Sequence, residues 1–388
     1  MSLPELFIPA TEVELSNWLR SRAPEAGPVV TGQGNPDPDS ALPGTDGTSE
    51  LTIVSTSRLA EVASFRPRDL TIEVGAGIRM QRFREIVEEE GLWIPAAGIG
   101  AARSIGGWIA ASSPAVWDAA YGPVRRQLLG CRVTAPDGRD LTWGRAVMKN
   151  VAGYDIPRLM AGSRGRLGVL TRVTVRLWPR PEAISAWVIR GDYQQFMLES
   201  TEADAVAWKW TRNEGACVTA MFVGSAKSVQ RRERALATRV RASGAEILEV
   251  DAGGESAGGN AVLRPGSVVC RLTPGRRCLP ALFDGLVRCD DPGLTAIEAI
   301  PDSGSILVFL DPGSGGIAPL HELQTHISRS DSRSVGTFER RPEIGIERGG
   351  PFEHELAAEL RDPGMKAIES RIERALDAWP RAWQADYL

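Results

Sequence analysis

The sequence predicts an α+β fold, and three observations lead there. β-prone runs and helical apolar periods interleave irregularly from Pro28 to Pro179, where a doubly wound sheet would alternate them regularly. A hydrophobic fraction of 43% over 388 residues supplies core enough for two or three domains. Two stretches, Gly98 to Ala111 (GIGAARSIGGWIAA) and Lys149 to Thr171 (KNVAGYDIPRLMAGSRGRLGVLT), join small residues to apolar runs. Such stretches let backbone approach a large flat ligand while their flanks stay packed.

The elements follow in order. Thr11 to Glu14 reads T-x-x-E, a capping-box signal, and Val13, Leu15, Trp18 and Leu19 offer an apolar face for a short helix. PVVT at Pro28, LTIVST at Leu51 and LTIEV at Leu70 read as short buried strands, the first two separated by a Gly-, Pro-, Asp- and Ser-rich loop. Met80, Phe83, Ile86, Val87 and Leu92 recur at helical spacing, with Gly91 placed to end that helix. SIGGWIAA from Ser104 opens another helix. LLGCRVTA, the turn PDGR and DLTWG form a hairpin around Asp137-Gly138. GVLTRVTVRLWP alternates apolar and polar from Val169, as a half-buried strand does, and Pro179 stops it.

Beyond Pro181 the character changes. Residues 184–250 alternate strands with a helix around Lys227 to Ala242, as a small sheet-plus-helix unit would. Trp208 and Trp210 sit two apart in a strand and so share a face, which suits core packing. Ala252 to Asn260 is a Gly- and Ser-rich loop, Ser328 to Pro351 is polar and Arg-rich, and Ile368, Ile372, Leu376 and Trp379 share one face of a final helix. The division is 1–181, 182–327 and 328–388.

Charge and composition exclude several functions. A net charge of -4 gives no footprint for a phosphate backbone, so nucleic acid is not expected. The five cysteines include no CxxC pair, which argues against zinc or an iron–sulfur cluster. An odd cysteine count and a start without a signal peptide fit a cytoplasmic location. No stretch reaches the ~20 apolar residues of a membrane span. The three histidines, His321, His326 and His354, all come late, so the N-terminal region offers none for a covalent cofactor link, and no metal site is expected. The basic run Lys227 to Arg241 reads as a solvated helix face or as a surface for an acidic partner.

Glycine lacks the side chain that would hold a peptide N–H away from a pyrophosphate oxygen. SIGGWIAA from Ser104, YGPVRRQLLG from Tyr121, PDGR from Pro136 and MKNVAGYDIPRLMAGSRGRLGVLTRVTVRLWPRP from Met148 together resemble the PCMH-type FAD-binding domain of the vanillyl-alcohol oxidase family over residues 5–181. Within that family the resemblance runs to the smaller FAD-binding subunits of bacterial glycolate oxidases. It implies two α+β subdomains with non-covalent FAD between them, followed by a smaller α+β cap-like domain. The residues it assigns to the cofactor are Thr31, Gly32, Gln33, Gly34 and Asn35; Pro95 and Gly98; Ser104, Ile105, Gly106, Gly107 and Ala111; Tyr121, Gly122 and Arg125; and Gly162, Ser163, Gly165, Leu167, Gly168 and Val169. Gly106 and Gly107 at a helix start would aim N–H groups at the diphosphate. The alternative is that these glycines only let a helix sit close to a sheet.

The likeness to glycolate oxidase subunits implies a role in oxidation of a 2-hydroxy acid by hydride transfer to the flavin. It also implies partners, a larger FAD-containing oxidase subunit and an iron–sulfur subunit, with peripheral membrane association through the complex. Two departures stand out. The loop after Thr31 carries Asp37 and Asp39, and the usual C-terminal segment is replaced by ALDAWPRAWQADYL. No residue here presents itself as the catalytic base, which suits a subunit that relays electrons or scaffolds the assembly. The other readings are a flavin-free structural module of the same fold and a self-contained flavin oxidase of another alcohol or acid.

Overall fold

The computed structural model describes residues 5–22, 29–32, 52–96, 103–112, 115–144, 155–163, 165, 167–190, 202–250, 268–273, 279–288, 294–310 and 343–346. Helices and strands are mixed as an α+β fold requires. The N-terminal region holds two sheets. Strand β1 (Glu5–Phe7) and β2 (Val29–Gly32) flank β3 (Thr52–Ser55) in a parallel sheet. Helix α1 (Glu12–Ser21) packs Leu15 and Leu19 with Val54 and with Val169 of the second sheet. Its N-cap is Thr11, whose hydroxyl accepts from the Glu14 amide at 3.1 Å, while the Glu14 carboxylate accepts from the Ala10 amide at 2.7 Å. Both ends of the T-x-x-E signal therefore cap α1. Val13 departs from the expected apolar face and is 64% exposed.

The second sheet is antiparallel. Its order is β4 (Val62–Arg66), β5 (Thr71–Gly75), β9 (Val169–Arg176), β7 (Leu128–Thr134) and β8 (Asp140–Gly144), with β9 at the centre. The β7–β8 hairpin turns at Gly138, φ 77°. The sequence pattern did not mark β4, because this edge strand buries none of its residues and carries no apolar alternation. β9 was expected to be half-buried, yet it is buried on both faces; Thr171 and Thr174 are among its buried residues, and the Thr171 hydroxyl donates to the Arg132 carbonyl at 3.3 Å. Helix α2 (Met80–Glu88) turns Met80, Phe83 and Val87 into the core. Leu92 belongs instead to β6 (Leu92–Trp93), paired with β10 (Trp178–Pro179), so Pro179 lies within a short strand beyond β9.

Four short helices complete this part: α3 (Ile105–Ala111), α4 (Asp118–Tyr121), α5 (Val124–Gln127) and α6 (Ile156–Met160). The remaining strands are β11 (Ala183–Arg190), β12 (Ala205–Thr211), β13 (Gly215–Gly224), β14 (Glu246–Val250), β15 (Val268–Thr273), β16 (Leu294–Ile300), β17 (Ser305–Leu310) and β18 (Glu343–Ile346). They form one antiparallel sheet in the order β14-β11-β13-β12-β16-β17-β15-β18. Helices α7 (Ala226–Ser243) and α8 (Leu279–Val287) cover one face through Val229, Leu236, Val240, Leu279, Phe283 and Leu286. Trp208 and Trp210 share that face, and the Trp208 ring meets Phe283 edge-on at 5.7 Å. The other face carries Ala186, Ala205, Ala207 and Met221, which pack against Val116 and Trp117. The Gly-rich loop at 252–260, the final helix at 368–379 and the three histidines lie outside the described residues.

Candidate functional site

The site is organised around α3. Its N-cap Ser104 accepts from the Gly107 amide at 3.1 Å, and the Gly162 amide donates to the Ile109 carbonyl at 3.1 Å. The two glycine-bearing stretches of the sequence thus meet at the C-terminal end of α3. At the N-terminal end, the segment after β5 runs beside Arg103 to Gly106. The Met80 amide donates to Arg103, that of Ile105 to Ile78 and that of Gly106 to Ala76, at 2.8, 2.9 and 2.8 Å.

These bonds correct one expectation. The amides of Ile105, Gly106 and Gly107 are all spent on carbonyl or hydroxyl oxygens of the protein, so the start of α3 does not aim them at a diphosphate. Close packing is what Gly106 supplies: a Cβ there would stand 2.7 Å from the Ala76 Cβ and 2.8 Å from its carbonyl oxygen. Sequence reading passed over Gly77 altogether. A Cβ at Gly77 would fall 1.7 Å from the Thr56 carbonyl, and its amide donates to Leu59 at 2.9 Å. The signal available in the sequence was Gly75-Ala76-Gly77 directly after the strand LTIEV.

Gly77 links α3 to the parallel sheet. Thr31 and Gly32 pair with Val54 and Ser55, the residues leading into Thr56. Val169 packs against Val54 from below. The structure therefore seats Ser104 to Gly107 against the segment after β5 and Gly162 against the end of α3, while Thr31 and Gly32 pair with β3, whose Val54 shares a core cluster with Val169. Gly162, Gly165 and Gly168 hold φ of 91°, 84° and 138°, so the chain curls sharply between α6 and β9. Gly168 is enclosed by Val133 and Thr134, and Leu167 packs on the core of the second sheet. Ala111 ends α3, and Pro95 is buried beyond β6. Gln33, Gly34, Asn35 and Gly98 lie outside the described residues.

Tyr121, Gly122 and Arg125 stand at a second wall. The Tyr121 ring meets Trp93, Trp117 and Trp178 edge-on at 5.4, 6.2 and 5.0 Å. Burial and the Asp204 carboxylate push its hydroxyl up to about 12, so it stays protonated as a donor near neutral pH. Gln127 donates through Nε2 to the Gly122 carbonyl at 3.0 Å. Arg125 is exposed on α5, which packs beside α6.

Four buried polar atoms in these walls have no protein partner: Gln127 Oε1, Ser163 Oγ, Trp93 Nε1 and Trp178 Nε1. Each costs about 1–3 kcal/mol if nothing satisfies it. They mix acceptors with donors, and in that chemistry they suit the polar edge of a flavin ring. No cluster of metal-ligating side chains occurs among the described residues.

Residues 6–143 match the family model described as an FAD binding domain. The N-terminal part of this chain is an FAD-binding domain. FAD is the cofactor of this family. A stretch of 143 residues is 36% identical to the glycolate oxidase subunit GlcE of Escherichia coli (strain K12), covering 36% of this chain and 41% of that protein. The cytochrome-type mitochondrial D-lactate dehydrogenase of Arabidopsis thaliana is 29% identical over 183 residues, 47% of this chain and 32% of that enzyme. The matches thus span under half the length of these relatives. A solved alkyldihydroxyacetonephosphate synthase shares the fold, with a TM-score of 0.60 at 13% identity over 86% of this chain and 72% of the synthase. No helix among the described residues is long and apolar enough to cross a membrane.

Proposed function

We propose that the chain is the FAD-binding subunit of a 2-hydroxy-acid dehydrogenase of the glycolate type, acting beside a larger FAD-containing oxidase subunit and an iron–sulfur subunit. The observation that carries the reading is the match of residues 6–143 to an FAD binding domain, in which Ser104 to Gly107 sit against Ala76 and Ile78, with Gly162 bonded to the far end of the same helix. When bound, FAD supplies a two-electron acceptor. The chain's own part is to bind and orient. Ser163 and Gln127 offer buried polar atoms that need a partner, and the Trp93, Tyr121 and Trp178 rings wall off water. With its histidines confined to positions 321, 326 and 354, the FAD-binding domain brings no imidazole base, in keeping with a relay or scaffold whose substrate is turned over by the larger subunit.

The test is direct. Purified protein should be yellow, with absorbance near about 370 and 450 nm. Ser163→Ala and Gln127→Leu should each weaken FAD binding about tenfold by fluorescence quenching, the value of one hydrogen bond. A colourless protein that takes up no added FAD sinks the reading. One observation favours a flavin-free structural module as the second reading, namely the α3 amides already engaged within the protein. Bleaching of the yellow chain by a 2-hydroxy acid without any partner would instead make it a self-contained oxidase.

A further inference from the structure

Helix α7 carries Lys227, Arg231, Arg232, Arg234, Arg239 and Arg241, with Glu233 as its acidic residue. The structure sorts these charges into two sets. Arg232 pairs with Asp204 at 2.5 Å and Arg239 with Glu202 at 2.6 Å, both partners lying just before β12. Lys227, Arg231, Arg234 and Arg241 are exposed and have no ion-pair partner among the described residues. Their spacing of four, three and seven keeps them within about 80° of the helix circumference, along roughly 21 Å of its length. Val229, Leu236 and Val240 lie on the opposite side, in the core. Glu233 falls off the stripe.

Such a stripe works against its own helix. Like charges at i, i+3 and i, i+4 repel. Lys227 stands in the first turn, where the helix dipole disfavours a cation and where no acidic residue is present. The exposed face of α2, by contrast, pairs Arg82 with Glu85 at 3.1 Å. A local conflict of this kind, in a chain with net charge -4, marks a surface shaped for something other than solvent.

We infer that the outer face of α7 docks an acidic surface of another protein. Arginine supplies most of the stripe, and its planar fork suits carboxylates held in bidentate fashion. Gln230, Ala235, Thr238 and Ala242, also exposed, are small or uncharged and leave the guanidinium groups accessible. That face has no exposed aromatic or large aliphatic residue to enter a bilayer, which disfavours a lipid surface. The net negative charge disfavours a polyanionic duplex. The inference is independent of what the FAD-binding domain holds.

The probe is a fluorescein-labelled helical peptide with glutamates at i, i+4, i+7 and i+14, followed by fluorescence anisotropy at low and high salt. Vesicles of phosphatidylglycerol and a short DNA duplex serve as competing anions. The wild-type protein should bind the peptide in a salt-sensitive way. A variant combining K227E, R231E, R234E and R241E should bind at least about tenfold more weakly, as should its glutamine counterpart, which preserves helix propensity. Circular dichroism and FAD content report the fold of each variant separately. Absent peptide binding, undiminished binding by the folded variants, or tighter binding to vesicles or duplex than to the peptide each overturns the inference.

Discussion

Glu298 is 5% exposed, with its Oε2 atom lacking any partner. It stands opposite Lys209 across β12 and β16, on the sheet face away from α7 and α8. Burial pushes its carboxyl up to about 7 while Lys209 pulls the other way. The folded state thus keeps a proton that the unfolded chain releases near pH 4.5. The penalty is absent below that value, grows as pH rises and is complete above about pH 7, where it reaches on the order of 3 kcal/mol. Melting temperature should fall between about pH 5 and about pH 8, and Glu298→Gln should flatten that decline. Parallel curves for the two proteins would refute this. Nothing in the string LTAIEAI marks Glu298 as a buried carboxyl, because burial arises only when the strand takes its place in the sheet. Gly106 shows the complementary limit. Its importance was legible, but whether it meets a phosphate or Ala76 depends on a neighbour thirty positions away in the chain.

At the scale of elements, local signals read well wherever the chemistry is local. The Thr11 cap, the PDGR turn and the apolar period of α2 each formed as their residues dictate. Signals failed where context decides: β4 is an unburied edge whose apolar residues do not alternate, and Trp93 and Trp178 pair only through a strand of two residues. Helix α3 is short enough that its cap matters. Ser104→Ala removes the acceptor for the Gly107 amide and should cost about 1 kcal/mol, read as a lowered urea midpoint. The Ile105 and Gly106 amides should keep slow hydrogen exchange in that variant, since their bonds run to Ile78 and Ala76. Loss of protection at all three amides would mean that the cap, rather than the strand contact, seats the helix.

Across the whole molecule, the FAD-binding domain and the large antiparallel sheet meet through an aromatic joint. Trp117 is 1% exposed, packs on Ala186, Ala205, Ala207 and Met221, and meets Trp93 edge-on at 5.8 Å. Trp117→Ala should cost about 3–5 kcal/mol and split denaturant unfolding into separate steps for the two regions. A single transition at an unchanged midpoint would show that the joint couples nothing. The α+β class was legible from irregular interleaving, but the joint was not, because its partners come from segments that no periodicity connects. The placement of β9 bears on how the chain is made. It sits between β5 and β7 although it follows both in the sequence. On a translating ribosome, then, the earlier strands emerge with their central ladder partner still missing. The sheet can close only once residues 169–176 have left the exit tunnel, so this region assembles late and all at once instead of growing strand by strand.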